Sequence, residues 1–239
     1  MRIRRFAATL AAALVATAAQ AAPPPSAAAV GDADSFGRNV RWLGSLDTEI
    51  DLLSDCTGLP SRAQDRCMVR AAAPSATSFS YSDLNRITLP AHSTNSLLCQ
   101  WWTPIVTLSF ANPTAAPLTA RVRWSPTLTV ESSVLADPTL IDPNTGAPFG
   151  GKLETSVASS HNEAFTLAPG ENRSWRDSSS RLCIAGALSK QGLIEGYGLS
   201  AAKANDVLNH ELTIRLNVTG SVTGVDQAQL YFGLRFVGD

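Results

Sequence analysis

Among the side chains able to do chemistry, the three histidines His92, His161 and His210 come first. Zinc hydrolases set two histidines four residues apart on one helix face, with a glutamate beside them, because both imidazoles must reach one metal ion. His210-Glu211 begins that pattern, but no second histidine follows at the required spacing. A nucleophilic serine on a strand-to-helix elbow needs a glycine on each side, and Gly198-Leu-Ser-Ala-Ala202 lacks the second. Ser200-Ala-Ala-Lys203 does match S-x-x-K, the acylating pair of penicillin-recognising enzymes. No K-T-G accompanies it, and Ser82-Asp-Leu-Asn85 falls short of S-D-N. The pattern therefore reads as a serine N-cap opening a short helix. No glycine-rich phosphate loop occurs.

Two further groups are candidates for binding. In ADPTLIDPNTGAPFGG, residues 136–151, Asp142, Asn144 and Gly146 fall at spacings that calcium loops use, with Asp137 nearby and Glu154 able to close the shell. Asp137, Asp142 and Asn144 are thus a weak calcium alternative. Against it, Asp and Asn also start turns by bonding their own backbone, and Pro143 and Pro148 account for a rigid hairpin. No metal and no cofactor is the leading expectation. The second group lies in LLCQWWTPIVTLSF, residues 97–110. If one strand runs through it, Trp102 shares the face of Val106, Leu108 and Phe110 and belongs to the core. Trp101 shares the face of Thr103, Thr107 and Ser109, where an indole either stacks on a ligand or is covered by another segment. Pro104 leaves room for a bulge that would shift this register. Trp101, with Arg121 and Arg123, forms the candidate ligand-binding set; Trp42 and Trp175 are similar aromatic candidates.

The elements that must carry these residues are strands. Leu118, Ala120, Val122 and Trp124 alternate with Thr119, Arg121 and Arg123; Leu212, Ile214, Leu216 and Val218 alternate with Thr213, Arg215 and Asn217. Leu230, Phe232, Leu234 and Phe236 repeat the pattern near the C-terminus. Period-two alternation marks strands with one face in a core and one in water. Val40 with Trp42, Ile50 with Leu52, 75–82 and Ile87 with Leu89 give shorter signals, and only Ser200 to His210 reads as a helix. Short strands separated by turns such as Asn112-Pro113 and Pro169-Gly170 predict an all-β fold, an antiparallel β-sandwich of Ig-like or jelly-roll type with disulfides. An outer-membrane barrel would need about ten residues of alternating apolar, lipid-facing strand in each span, which these Thr-, Pro- and Gly-broken segments do not supply.

The N-terminus, MRIRRFAATLAAALVATAAQA, has a basic start, a short apolar stretch and a small-x-small ending, so residues 1–21 read as a signal peptide. Its apolar run is shorter than the ~20 residues of a bilayer span, so no transmembrane anchor is expected. Residues 22–35 read as a Pro/Ala-rich flexible linker and 36–239 as the sandwich domain, with 36–90 a subregion that packs on it. Cys56, Cys67, Cys99 and Cys183 all follow the leader, and an even count in an exported chain predicts disulfides. The short polar loop CTGLPSRAQDRC favours Cys56–Cys67, which leaves Cys99–Cys183. Of 19 Lys and Arg, three arginines lie in the leader, so the remaining chain is mildly acidic against 20 Asp and Glu. That gives no basic footprint for nucleic acid. The expectation is an exported, periplasmic or secreted, non-enzymatic bacterial protein with a binding or structural role at the envelope or surface. Its partner would be an unknown macromolecule, a glycan or an envelope protein. The alternative is a secreted hydrolase of polysaccharide or peptide, whose paired carboxylates a single sequence would not reveal.

Overall fold

The computed structural model describes residues 41–95, 97–157, 160–178, 180–182 and 188–238, with the side chains of residues 41, 97, 99–101 and 181–182 outside that set. In chain order the elements are β1 (Arg41–Leu53), β2 (Arg66–Val69), β3 (Ala76–Leu89), β4 (Leu97–Ala111), β5 (Leu118–Glu131), a 3-10 turn (Ser133–Ala136), β6 (Lys152–Ser156), β7 (His161–Leu167) and β8 (Asn172–Asp177). They continue through β9 (Arg181–Leu182), β10 (Leu188–Ser189), α1 (Lys190–Glu195), α2 (Ala201–Asn209), β11 (Leu212–Thr223) and β12 (Val225–Gly238). The architecture is all-β and has two sheets. The first runs β2-β1-β12-β4, with β8, β9 and β10 following one another along the far side of β4. The second runs β3-β11-β5, with β7 and then β6 along the far side of β5. Residues 41–89 supply strands to both sheets, since β1 pairs with β12 and β3 with β11.

The alternation read in the sequence is what builds the core. Val106, Leu108 and Phe110 from β4, with Leu230, Phe232, Leu234 and Phe236 from β12, are buried against Val122, Trp124, Leu128, Ile214 and Leu216 of the second sheet. Trp102 is 2% exposed and stacks on Phe232, with ring centroids 5.1 Å apart and planes 17° from parallel. Its assignment to the core from strand parity is correct, and Pro104 introduces no slip. Pro104 faces Phe232 of β12 in continuous register, and on its other side it lies between the β9 partners (101–102) and the β8 partners (106–111). A residue without an N–H fits where a strand has no neighbour to donate to.

The weak signals at 75–82 and 87–89 belong to one strand, β3, interrupted by a bulge. Its register on β11 shifts between Leu216 and Val218, and Asp83 takes the left-handed conformation with φ of 61°. Asn217 Oδ1 accepts the Asp83 N–H at 2.9 Å, which satisfies the amide the bulge would leave unpaired. At Gly220 the ring of Phe79 lies so close that a Cβ would come within 2.3 Å of it, so only glycine fits.

The Cys56–Cys67 disulfide is present, with Cα atoms 5.8 Å apart. It closes the crossover between β1 and β2, the parallel pair in these sheets. Arg62 tightens the same loop by gripping Asp65 through Nε (2.7 Å) and Nη2 (2.9 Å) and Asp47 through Nη1 (2.6 Å). A Cys99–Cys183 bridge, the signal peptide and the linker all fall outside the described residues. The helix anticipated at 200–210 is α2, whose N-cap Ser200 accepts the Lys203 N–H at 3.2 Å. Because the Ser200 hydroxyl caps the helix and Lys203 Nζ pairs with Asp137 at 3.1 Å, the S-x-x-K residues hold structural partners. Helix α1, capped by Ser189, gave no periodic signal because Gly192 interrupts its six residues. Among the described residues no helix is long and apolar enough to cross a membrane.

Candidate functional site

Side-chain-to-backbone turns shape the segment between the 3-10 turn and β6. Asp137 Oδ1 accepts from the Thr139 N–H (3.0 Å) and hydroxyl (2.7 Å). Asp142 Oδ1 accepts from the Asn144 N–H (2.9 Å) and from Asn144 Nδ2 (3.0 Å). These are the local bonds that make Asp and Asn turn residues. The two arms of the hairpin are joined by Asp142 N–H to the Ala147 carbonyl (2.9 Å) and Phe149 N–H to the Leu140 carbonyl (3.1 Å). Gly146, at φ of 70°, lets the tip close with its N–H on the Asp142 carbonyl. The returning arm buries Phe149.

Across from this hairpin stands Tyr197, in the bend between α1 and α2. Its ring centroid lies 6.3 Å from that of Phe149, and its hydroxyl donates to the Glu154 carbonyl at 2.6 Å. Strand β6 is an edge strand, so this bond satisfies a carbonyl that no neighbouring strand could reach. Burial pushes the Tyr197 hydroxyl above the usual phenol range, and the carboxylates of Asp142 and Glu154 add to the shift. Between hairpin, β6 and Tyr197 lies a cleft of about 420 Å³. Phe149 and Tyr197 give it aromatic surface, and Asp142, Asn144, Lys152 and Glu154 bring polar groups to it. Such a cleft offers an apolar face for C–H groups, carboxylates and an amide oxygen that accept hydroxyl protons, and an ammonium that donates.

The residues singled out in the sequence fall in several places. Trp101 lies on β4 opposite Arg235 of β12 and Leu182 of β9, in the first sheet, and its side chain is outside the described set. Arg121 and Arg123 are exposed on β5 of the second sheet, opposite Thr223 and Ser221. The candidate ligand-binding set is therefore divided between the two sheets. Trp42 is 58% exposed on β1, whereas Trp175 is half-buried against Trp124. Asp142 and Asn144 meet at the cleft, but Asp137 is committed elsewhere. The Thr139 hydroxyl and amide, and then Lys203, hold its carboxyl down to about 2. Among the described residues no group of three His, Cys, Asp or Glu side chains is placed to share a metal ion.

Sequence reasoning missed Tyr197 and Phe149 as partners, because 48 positions of chain separate them and no periodicity links a hairpin arm to a helix bend. It also named His161 without identifying its partners. This residue stacks on Trp124 with ring centroids 4.1 Å apart, and its Nδ1 is 3.5 Å from Asp177 and its Nε2 3.8 Å from Glu163. His161 and Glu163 belong to the edge strand β7, and Asp177 to the edge strand β8 of the other sheet. Beside them Arg173 sits 4.1 Å over the Phe165 ring. Charged residues along these two sheet edges discourage pairing with a further strand. No protein-family model, no curated protein and no solved structure matches the chain significantly.

Proposed function

We propose that the chain is exported and has a non-enzymatic binding role at the bacterial envelope or surface. In this reading the scaffold is a sandwich of Ig-like or jelly-roll type, and the cleft beside β6 receives a polyhydroxylated ligand such as an envelope glycan. Support for export comes from the leader-like N-terminus and from the Cys56–Cys67 disulfide, since such bonds persist in oxidising compartments. The observation that carries the binding role is the composition of the cleft: the rings of Phe149 and Tyr197 and the hydrogen-bonding side chains of Asp142, Asn144, Thr145, Lys152 and Glu154 around one concavity. A sugar ring has a C–H face that packs on an aromatic and a rim of hydroxyls that carboxylate, amide and ammonium groups can take.

One feature favours a second reading, a hydrolase of polysaccharide. Asp142 and Glu154 line the same cleft, and glycoside hydrolysis uses two carboxylates flanking the scissile bond. A single experiment separates the readings. The exported chain and its Thr145→Trp variant, which fills the cleft from an exposed rim position, are titrated with a panel of bacterial envelope glycans and assayed for release of reducing ends. Binding by the wild type without turnover, lost in the variant at unchanged far-UV circular dichroism, is the expected result. Equal binding by both proteins, or none by either, rejects the cleft. Turnover that the variant loses replaces the binding role with the hydrolase.

A further inference from the structure

The cleft has a neighbour. A second cavity of about 370 Å³ opens on the other side of Lys152, lined by Glu131, Ser132, Ser133, Glu211 and the backbone of Gly150 and Gly151. Lys152 lines both cavities. It is the first residue of β6 and faces Glu131 across the strand pair, so both spaces border the start of this edge strand. Gly150 and Gly151 have φ of 62° and 90°, left-handed conformations that favour glycine, and as glycines they leave the backbone bare. A Cβ built on Gly151 would touch nothing, so a ligand can approach the chain closely at that point.

The charges around the pair are unbalanced. Glu131 is neutralised by Arg215 Nη2 at 2.9 Å. Asp142, Glu154 and Glu211 remain against the single cation Lys152. Among the described residues no carboxylate lies within ion-pair distance of the Lys152 ammonium. Its protons are therefore available to a ligand oxygen at the junction, while the carboxylates around it repel an anion and attract an amine.

Building on the binding role proposed above, we infer that the two cavities are adjoining subsites for one linear oligosaccharide of at least two units. The geometry and charge select amino sugars over uronic acids. One unit packs against Phe149 and Tyr197 with its hydroxyls on Asp142 and Glu154. Lys152 donates to an oxygen near the linkage. The next unit lies over Gly150 and Gly151 with its amino group towards Glu211.

The test uses the exported wild-type chain and two variants, Thr145→Trp for the first cavity and Ser133→Trp for the second, both at exposed positions. The probes are β-1,4-linked glucosamine chains of one to four units, their N-acetylated counterparts and galacturonate chains of the same lengths, titrated calorimetrically at low and at physiological salt. The glucosamine dimer should bind about tenfold more tightly than the monomer, a second subsite contributing one factor of ten in affinity. Added salt should weaken it, and galacturonates should bind more weakly than either. Ser133→Trp should reduce the dimer to the affinity of the monomer and leave the monomer unchanged, whereas Thr145→Trp should remove both. Equal affinities for monomer and dimer, or a Ser133→Trp variant that binds the dimer as the wild type does, would overturn the tandem arrangement while leaving single-site binding intact. Galacturonates binding best would overturn the charge selection. Absence of binding by the wild type to every probe and to the wider glycan panel would remove the underlying binding role.

Discussion

Replacing Trp102 by alanine tests the core assignment most directly. The indole is 2% exposed and stacked at 5.1 Å on Phe232, which is itself fully buried. A tryptophan buries on the order of 150–250 Å². At about 25 cal/mol per Å² that is about 4–6 kcal/mol, and a compact unfolded chain reduces the figure by roughly 10–40%. The cavity left in a two-sheet core that cannot collapse offsets part of that reduction, so Trp102→Ala should cost about 3–5 kcal/mol. With a urea m-value near the upper end of the 1–3 kcal/mol/M range, the midpoint should fall by about 1–1.7 M. Trp42→Ala is the comparison. That indole is 58% exposed on β1, so its removal should cost less than about 2 kcal/mol. The assay is urea denaturation of the oxidised proteins followed by far-UV circular dichroism, because five tryptophans make the fluorescence signal ambiguous. A midpoint for Trp102→Ala no lower than that for Trp42→Ala, at equal m-values, would refute the packing argument.

Peptide mapping without reductant should recover Cys56 linked to Cys67 and Cys99 linked to Cys183. A free thiol in the exported chain would sink the second bridge. Asn112→Ala should cost about 2–3 kcal/mol. This side chain is 1% exposed, and its Nδ2 donates to the Ala116 carbonyl (2.8 Å) and the Leu167 carbonyl (3.1 Å), which the variant leaves unmet in a chemical denaturation series. Burial, followed by the Glu49 carboxylate beside it, raises the Asp51 carboxyl to about 6. A carboxyl raised on folding binds its proton more tightly in the native state, so this group's contribution to stability is present at low pH and is lost as pH rises from about 4 through 6. Asp51→Asn should therefore stabilise the protein at pH 7, by under about 1 kcal/mol after solvent screening, and gain nothing at pH 4. Thermal midpoints that show the same difference at both pH values would contradict this.

What could be read from the chain alone was what depends on near neighbours. Alternation at 118–124, 212–218 and 230–236 sorted residues between core and solvent, because a strand turns successive side chains to opposite faces whatever it pairs with. The same rule placed Trp102 inside, and the bulge suspected at Pro104 is absent because β8 and β9 leave a gap at that residue. The 56–67 loop was short enough to name its own disulfide, and Ser200 capped its helix through a bond three residues long. Tertiary structure decided everything that joins distant segments. It put Trp101 in one sheet and Arg121 and Arg123 in the other, which no local pattern encodes. It also carried Tyr197 from a helix bend to the carbonyl of Glu154 and to Phe149, creating the cleft. The physical reason is that pairing partners in a sheet are chosen by the sum of burial over the whole core, while a cleft is the space left where loops from several such choices meet.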